Sequence, residues 1–281
     1  MSRDSGERDW VLRGQNPARL ERIEAYFSGH GYAPHRHDTY AIGRTLAGVQ
    51  NFKYRAAMRH SLPGGTMVLH PDELHDGMAG TEAGFRYRMV YIDPVLIQQA
   101  LGGEALPFIQ GGLSADIRLY RASATFMQAM DCPLELLEEE DAIYDLAQAL
   151  KAVAGQARGR QAFDYPAAER AREYIHSRQG ASVSLAALEL ASGRDRNSLS
   201  RDFRALFGTS PYRYVTLRRL DRCRHLLLAG FSLVEAALAA GFFDQSHMTR
   251  HFTQCYGVAP AQWLRRLGLG GSRLQDRTRT V

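Results

Sequence analysis

The segment "GFFDQSHMTRHFTQCYGVAP", Gly241 to Pro260, has a blurred copy upstream in "LSRDFRALFGTSP", Leu199 to Pro211. At an offset of 49 residues Leu199 meets Met248, Arg201 meets Arg250, Phe203 meets Phe252, Gly208 meets Gly257 and Pro211 meets Pro260. Ahead of each copy, "SLAALELA" and "SLVEAALA" align at 48, so the intervening turns differ by one residue. A short helix, a tight turn and a longer helix, written twice, confine this part of the chain to a helical domain with two helix-turn-helix units.

Within each longer helix the apolar residues fall three and four apart: Leu199, Phe203, Leu206 and Phe207 in the first, Met248, Phe252, Cys255 and Tyr256 in the second. Those faces belong in a core. The opposite faces carry Arg196, Asn197, Ser200, Arg201 and Arg204, and then Gln245, Ser246, Thr249, Arg250 and Thr253. Hydrogen-bonding side chains of these types match base edges and phosphates in a major groove. Double-stranded DNA is therefore the expected partner. Between the units, Pro211 to Ala229 reads as one helix about 28 Å long at 1.5 Å per residue, close to the roughly 34 Å between successive major grooves on one side of a duplex. Arg213, Arg218, Arg219, Arg222 and Arg224 lie along it, available for phosphates.

Charge divides in the same way. From Asp164 to Val281 there are 18 Arg, no Lys and 10 acidic residues, a net +8, whereas residues 1–163 hold 17 basic against 20 acidic, a net −3. A polyanion suits the second half. Ser184, Asp195, Ser210, Ser232 and Asp244 stand where helix N-caps are needed, Pro211 and Pro260 at first turns, and Gly208 and Gly257 just past helix ends.

The first third reads differently. "TYAIGRTLA", "VQNFKYR", "TMVLH" and "FRYRMVYI" are short, rich in β-branched and aromatic residues, and punctuated by "AGVQ", "PGG" and "HPDELHDG". Such a run predicts a β-sandwich or small barrel, its interior filled or holding one small ligand. After Pro107 the pattern predicts a helix over 116–130 and a second over 134–156, with Leu136, Ile143, Leu146, Leu150 and Val153 on a seam of heptad spacing. That seam suits an antiparallel helix pair which also meets a second subunit, giving a homodimer. "GQARGRQAFDYP", Gly155 to Pro166, reads as a polar hinge.

No segment reaches the roughly 18 apolar residues of a membrane span, and the N-terminus lacks a signal-peptide core. A cytoplasmic protein with no membrane contact is expected. Cys132, Cys223 and Cys255 are few and widely spaced, as for reduced thiols.

"SLVEAALAAGFFDQSHMTRHFTQCYGVAPAQWLR" resembles the C-terminal signature of the AraC/XylS family of bacterial transcription regulators, and the likeness extends over Ala168 to Arg266. Met248 and Trp263 stand where that signature usually has Phe and Tyr, and Ala236 and Ala237 replace an Ile-Ala pair. The resemblance implies DNA contact at Asn197, Ser200, Arg201, Gln245, Ser246 and Arg250. The stretches "HRHDTYAIGRTLAG", "LPGGTMVLHPDELHDG" and "GFRYRMVYIDP" are similar to that family's effector-binding cupin barrel. The resemblance implies a multidomain α and β architecture: a cupin-like β-barrel over 1–105, a helical hairpin for dimerisation over 106–163, an all-α double helix-turn-helix domain over 164–268 and a tail over 269–281. It also implies a ligand-responsive activator with a small-molecule effector and RNA polymerase as partners, and no enzyme.

His35 and His37 form an H-x-H and, with His75, occupy places where enzymatic cupins hold a metal, since alternate residues of a strand point the same way. Those enzymes add a carboxylate shortly afterwards, where Tyr40, Ala41 and Ile42 stand here. Three neutral imidazoles suffice for zinc; pocket hydrogen bonding and capping of strand ends are the alternatives. The reading adopted is an effector pocket without metal or cofactor, lined by His35, His37, Tyr40, Arg44, His75, Tyr87 and Tyr91.

Overall fold

A computed structural model describes residues 9–15, 20–154, 163–178 and 183–267. The expected tail and most of the expected hinge lie outside them. Apart from Ala205–Gly208, which group with the first, the chain divides into two compact units between Phe163 and Asp164.

The first unit holds two antiparallel sheets. One comprises β1 (Trp10–Arg13), β2 (Leu20–Phe27), β4 (Tyr40–Gly48), β7 (Thr66–Leu69), β9 (Phe85–Ile92) and β10 (Leu113–Ser114), in the order β1-β2-β9-β4-β7-β10. The other comprises β3 (His30–His35), β5 (Gln50–Tyr54), β6 (Ala57–Ser61) and β8 (His75–Ala79), in the order β3-β8-β5-β6. Phe27, Phe52, Tyr54, Met67, Phe85, Tyr87 and Met89 form one buried cluster with residues from both sheets. A second cluster joins Tyr40, Ile42, Val68, Val90 and Ile92 to the helices α1 (Pro94–Ala100), α2 (Ile117–Ala122) and α3 (Leu136–Ala154). Strand alternation sorts the side chains between the two: on β9, Phe85, Tyr87 and Met89 belong to the first cluster, Val90 and Ile92 to the second. Both faces of this sheet are thus apolar. At the centre of the β4–β9 pairing, a Cβ on Gly43 would sit 2.2 Å from the carbonyl oxygen of Arg88, so only glycine fits.

Three expectations are corrected here. No single helix spans 116–130: Asp116 caps α2 through the N–H of Arg118, α2 ends at Ala122, and a lone 3-10 turn follows at Thr125–Met127. Ser123 supplies the reason, because its hydroxyl donates to the Tyr120 carbonyl at 3.2 Å and accepts from Arg44 at 2.9 Å, competing with the helical pattern. "HPDELHDG" is not purely a turn, since β8 begins at His75 and pairs with both β3 and β5. The α3 seam is not free for a partner: Ile143, Leu146 and Leu150 are buried in the cluster that α3 shares with α1, α2 and the sheet, Val153 packs on the same cluster, and Leu136 is exposed.

The second unit is helical: α4 (Tyr165–Ser177), α5 (Leu185–Ser192), α6 (Arg196–Phe207), α7 (Pro211–Leu228), α8 (Leu233–Ala239), α9 (Gln245–Tyr256) and α10 (Pro260–Arg266). The caps fall where the residue types demanded. Ser184, Ser210, Ser232 and Asp244 accept the backbone N–H of Ala187, Arg213, Glu235 and His247, and Asp195 accepts those of Asn197 and Ser198. Gly257 ends α9 at φ 68°, a left-handed cap open to glycine at little cost.

Candidate functional site

Two regions concentrate chemistry. In the helical unit, α5 with α6 and α8 with α9 each form a helix, a turn and a second helix of 12 residues. On α6, Leu199, Phe203 and Leu206 are fully buried, and the Phe203 ring meets Tyr214 edge-on at 5.3 Å. On α9, Met248, Phe252 and Cys255 join Leu217, Leu220 and Ala236 in one cluster. With their apolar sides engaged, both helices turn the polar side outward. Arg196, Asn197, Arg201 and Arg204 are exposed and Ser200 half-buried; Ser246 and Arg250 are exposed, Gln245 and Thr249 half-buried.

Each face has internal order. The carboxylate of Asp202 is buried; it accepts from Arg194 at 2.8 Å and from Arg201 at 3.3 Å, which steadies a guanidinium that still faces solvent. Arg204 donates to the hydroxyl of Ser200 one turn earlier. On α9 the Nε2 atoms of His247 and His251 lie 3.0 Å apart, with the Phe242 ring against both. Burial and the neighbouring His247 hold His251 below the ordinary histidine range. The four-residue spacing of this pair was visible in the sequence, but its partner Phe242 was not.

Helix α7 links the two pairs and spans 18 residues, about 27 Å. Its arginines divide in role. Arg224 stacks over the rings of Tyr256 and Trp263 at 5.1 and 5.5 Å, so part of its cationic face is engaged. Arg218, Arg219 and Arg222 join Arg178 and His225 around a cleft of about 360 Å³ between α4 and α7.

In the first unit the expected pocket residues separate into two groups. His35 and His75 face each other as a cross-strand pair of β3 and β8, ring centroids 4.3 Å apart, and His37 lies 4.7 Å from His75. Tyr91 meets His37 edge-on at 5.4 Å. Tyr87 shares a 2.6 Å hydroxyl contact with Tyr32, whose ring lies 5.7 Å from His35. Tyr32 was missed because it carries no motif, and regular alternation would set it on the face opposite His35; the register shift between the two in the β3–β8 pairing is what brings them together. Tyr40 and Arg44 are not part of this group. They sit on the other face of β4: the Tyr40 hydroxyl donates to the Pro107 carbonyl at 2.7 Å, and Arg44 stacks over Tyr120 at 3.6 Å. Burial lowers the pKa of Arg44 and raises that of Tyr40.

His35, His37 and His75 are all buried, and one ring nitrogen of each lies within 4.8 Å of the others. Their Nδ1 atoms stand 2.8, 2.9 and 2.9 Å from the carbonyl oxygens of Ala33, Thr39 and Glu73. A carbonyl only accepts, so each Nδ1 carries the hydrogen and each Nε2 keeps its lone pair. Burial pushes His35 below its ordinary range and His75 well below, the latter helped by the other two imidazoles. Three neutral donors with carbonyl-fixed tautomers fit a divalent cation.

Residues 17–152 match the family described as AraC-like ligand binding domain, and residues 188–266 match one described as helix-turn-helix domain. The chain is 24% identical over 235 residues to the uncharacterized HTH-type transcriptional regulator YbfI of Bacillus subtilis, covering 80% of this chain and 86% of that protein. It is 38% identical over 65 residues to the virulence regulon transcriptional activator VirF of Yersinia enterocolitica, 21% of this chain and 24% of the relative. A 1.65 Å structure of ToxT from Vibrio cholerae aligns with TM-score 0.64 at 12% identity, covering 88% of this chain and 98% of that one, a likeness of fold. Among the described residues no helix is long and apolar enough to cross a membrane.

Proposed function

We propose that this chain, which belongs to the AraC family of transcription regulators by its ligand-binding and helix-turn-helix domains, reads two adjacent major grooves with α6 and α9 and answers to a small molecule held in its N-terminal unit. One observation carries the reading: two helices of equal length, apolar side buried and arginine-bearing side exposed, joined by an 18-residue helix. Arg196, Asn197, Ser200, Arg201 and Arg204 then face one groove, and Gln245, Ser246, Thr249 and Arg250 the next. Arg219 and Arg222 are placed for phosphates.

Activation is the regulatory sense we favour, supported by the likeness to VirF of Yersinia enterocolitica, a transcriptional activator. It calls for contact with RNA polymerase in the cytoplasm. A homodimer is part of the same reading, and its contact would use the outer side of α3, where Leu137 and Tyr144 stand exposed at heptad spacing. The effector can act only by binding one arrangement of the reading helices more tightly than another.

The test is a titration of the full chain and its Arg250→Ala variant against a duplex selected from a random library, with a scrambled duplex beside it. A base-reading arginine loses about 1–3 kcal/mol on the selected duplex alone; a phosphate-gripping one weakens both equally. Unchanged binding to both duplexes rejects the assignment.

A further inference from the structure

We propose that His35, His37 and His75 form a transition-metal centre, zinc foremost, inside the N-terminal unit. The three side chains come from different places in the chain, the end of β3, the residues just after it and the start of β8, yet their ring nitrogens converge within 4.8 Å. Each is buried, with 8%, 7% and 4% exposure, so the convergence is not a chance surface cluster.

The hydrogen bonds select the donor atoms. In all three rings Nδ1 is turned to a backbone carbonyl two residues away in sequence, Ala33, Thr39 or Glu73. That contact fixes the Nδ1–H tautomer and leaves the Nε2 lone pair of each ring as the donor a metal can use. Three lone pairs in one buried cluster repel one another, and a cation among them reverses the sign of that interaction. Carbonyl-anchored imidazoles are also what a metal ligand needs to hold its orientation. Rings serving only to fill a core do not need the shared tautomer.

Donor chemistry selects the ion. Imidazole suits zinc, copper, iron and nickel, whereas calcium and magnesium require oxygen ligands. Among the described residues no carboxylate or thiol joins the group, and three imidazoles correspond to a zinc site that keeps a position open. Tyr91 and Tyr32 flank the histidines. A small oxygen-donor molecule at the open position would bring metal and effector into one site; this last step alone rests on the ligand-sensing reading.

The experiment uses the untagged full chain, stripped with a chelator, dialysed, and titrated with zinc and separately with cobalt(II). One equivalent of metal per chain is expected, with a cobalt visible spectrum of tetrahedral intensity and a melting temperature raised by zinc. His35→Ala and His75→Ala are each expected to weaken binding by more than about 100-fold, beyond the 10–100-fold typical of an outer-shell change. His60→Ala, at an exposed position on β6, is expected to bind as the parent does. Absence of any stoichiometric metal in the parent chain overturns the proposal, as does binding retained in both His35→Ala and His75→Ala. Parent chain alone decides the first point, so misfolding of a variant cannot hide the answer. DNA binding is measured on the same samples: a chain that binds its duplex but no metal refutes the metal centre and leaves the regulator reading standing.

Discussion

The hydroxyl of Tyr54 lies 2.6 Å from Nδ1 of His70, while Nε2 of the same ring accepts the backbone N–H of Ile109 at 2.8 Å. With Nε2 accepting, Nδ1 carries the proton and donates to the phenol oxygen, so the bridge from β5 to residue 109 requires a neutral imidazole. Burial, assisted by the Arg55 cation, lowers His70 to about 3 from an ordinary 6.5. An unfolded chain protonates this ring first, so stability is fully present above about pH 6.5 and drains away as pH falls towards 3. In urea melts at pH 7, 5.5 and 4.5, the His70→Gln variant is expected to lose less stability on acidification than the parent. Parallel losses in both proteins contradict the bridge.

Glu24 should matter more than its single charge suggests. It is buried on β2 and accepts from Nε of Arg86 and of Arg88, each at 2.6 Å, and Arg88 also donates to the Met127 carbonyl at 2.6 Å. Removing one partner of a fully buried pair costs about 3–5 kcal/mol. Because Arg86 is half exposed, we expect roughly 2–3 kcal/mol for Glu24→Gln, read as a lower urea midpoint at unchanged slope. A change below about 0.5 kcal/mol, the surface norm, would show the network to be idle.

Ser232 and Glu235 make a reciprocal capping box at the start of α8, the helix that supports reading helix α9. Ser232→Ala should destabilise by about 1 kcal/mol, while Ser232→Asp should retain most of the stability. Equal melting temperatures for all three proteins would mean the cap is unimportant.

How much of this was legible in the sequence varies from element to element for physical reasons. Both reading helices and β9 fall on the residues anticipated for them, because their periodicity and flanking caps are local signals. Tyr40 and Arg44 were misplaced because alternation along β4 says which residues share a face but not which face meets the helices. β8 was hidden because His75, Asp76 and Gly77 look like turn residues, and only pairing on both sides makes them a strand. The α3 seam carried a true apolar period whose partners, α1, α2 and the cluster they share with the sheet of their own unit, are fixed by tertiary packing. The convergence of three histidines was foreshadowed by the H-x-H; the carbonyls that set their tautomers were not.

Reading of two grooves by one rigid pair of helices is tested most directly by changing the distance between them. A duplex selected by the full chain is altered by inserting five base pairs, about half a helical turn, between the two protected patches. With α6 and α9 joined by the 18-residue α7, only one patch can then be engaged, and affinity is expected to fall towards the non-specific level, while a same-length insertion outside the patches leaves it unchanged. Undiminished affinity, with both patches still protected on the lengthened duplex, would contradict the paired reading.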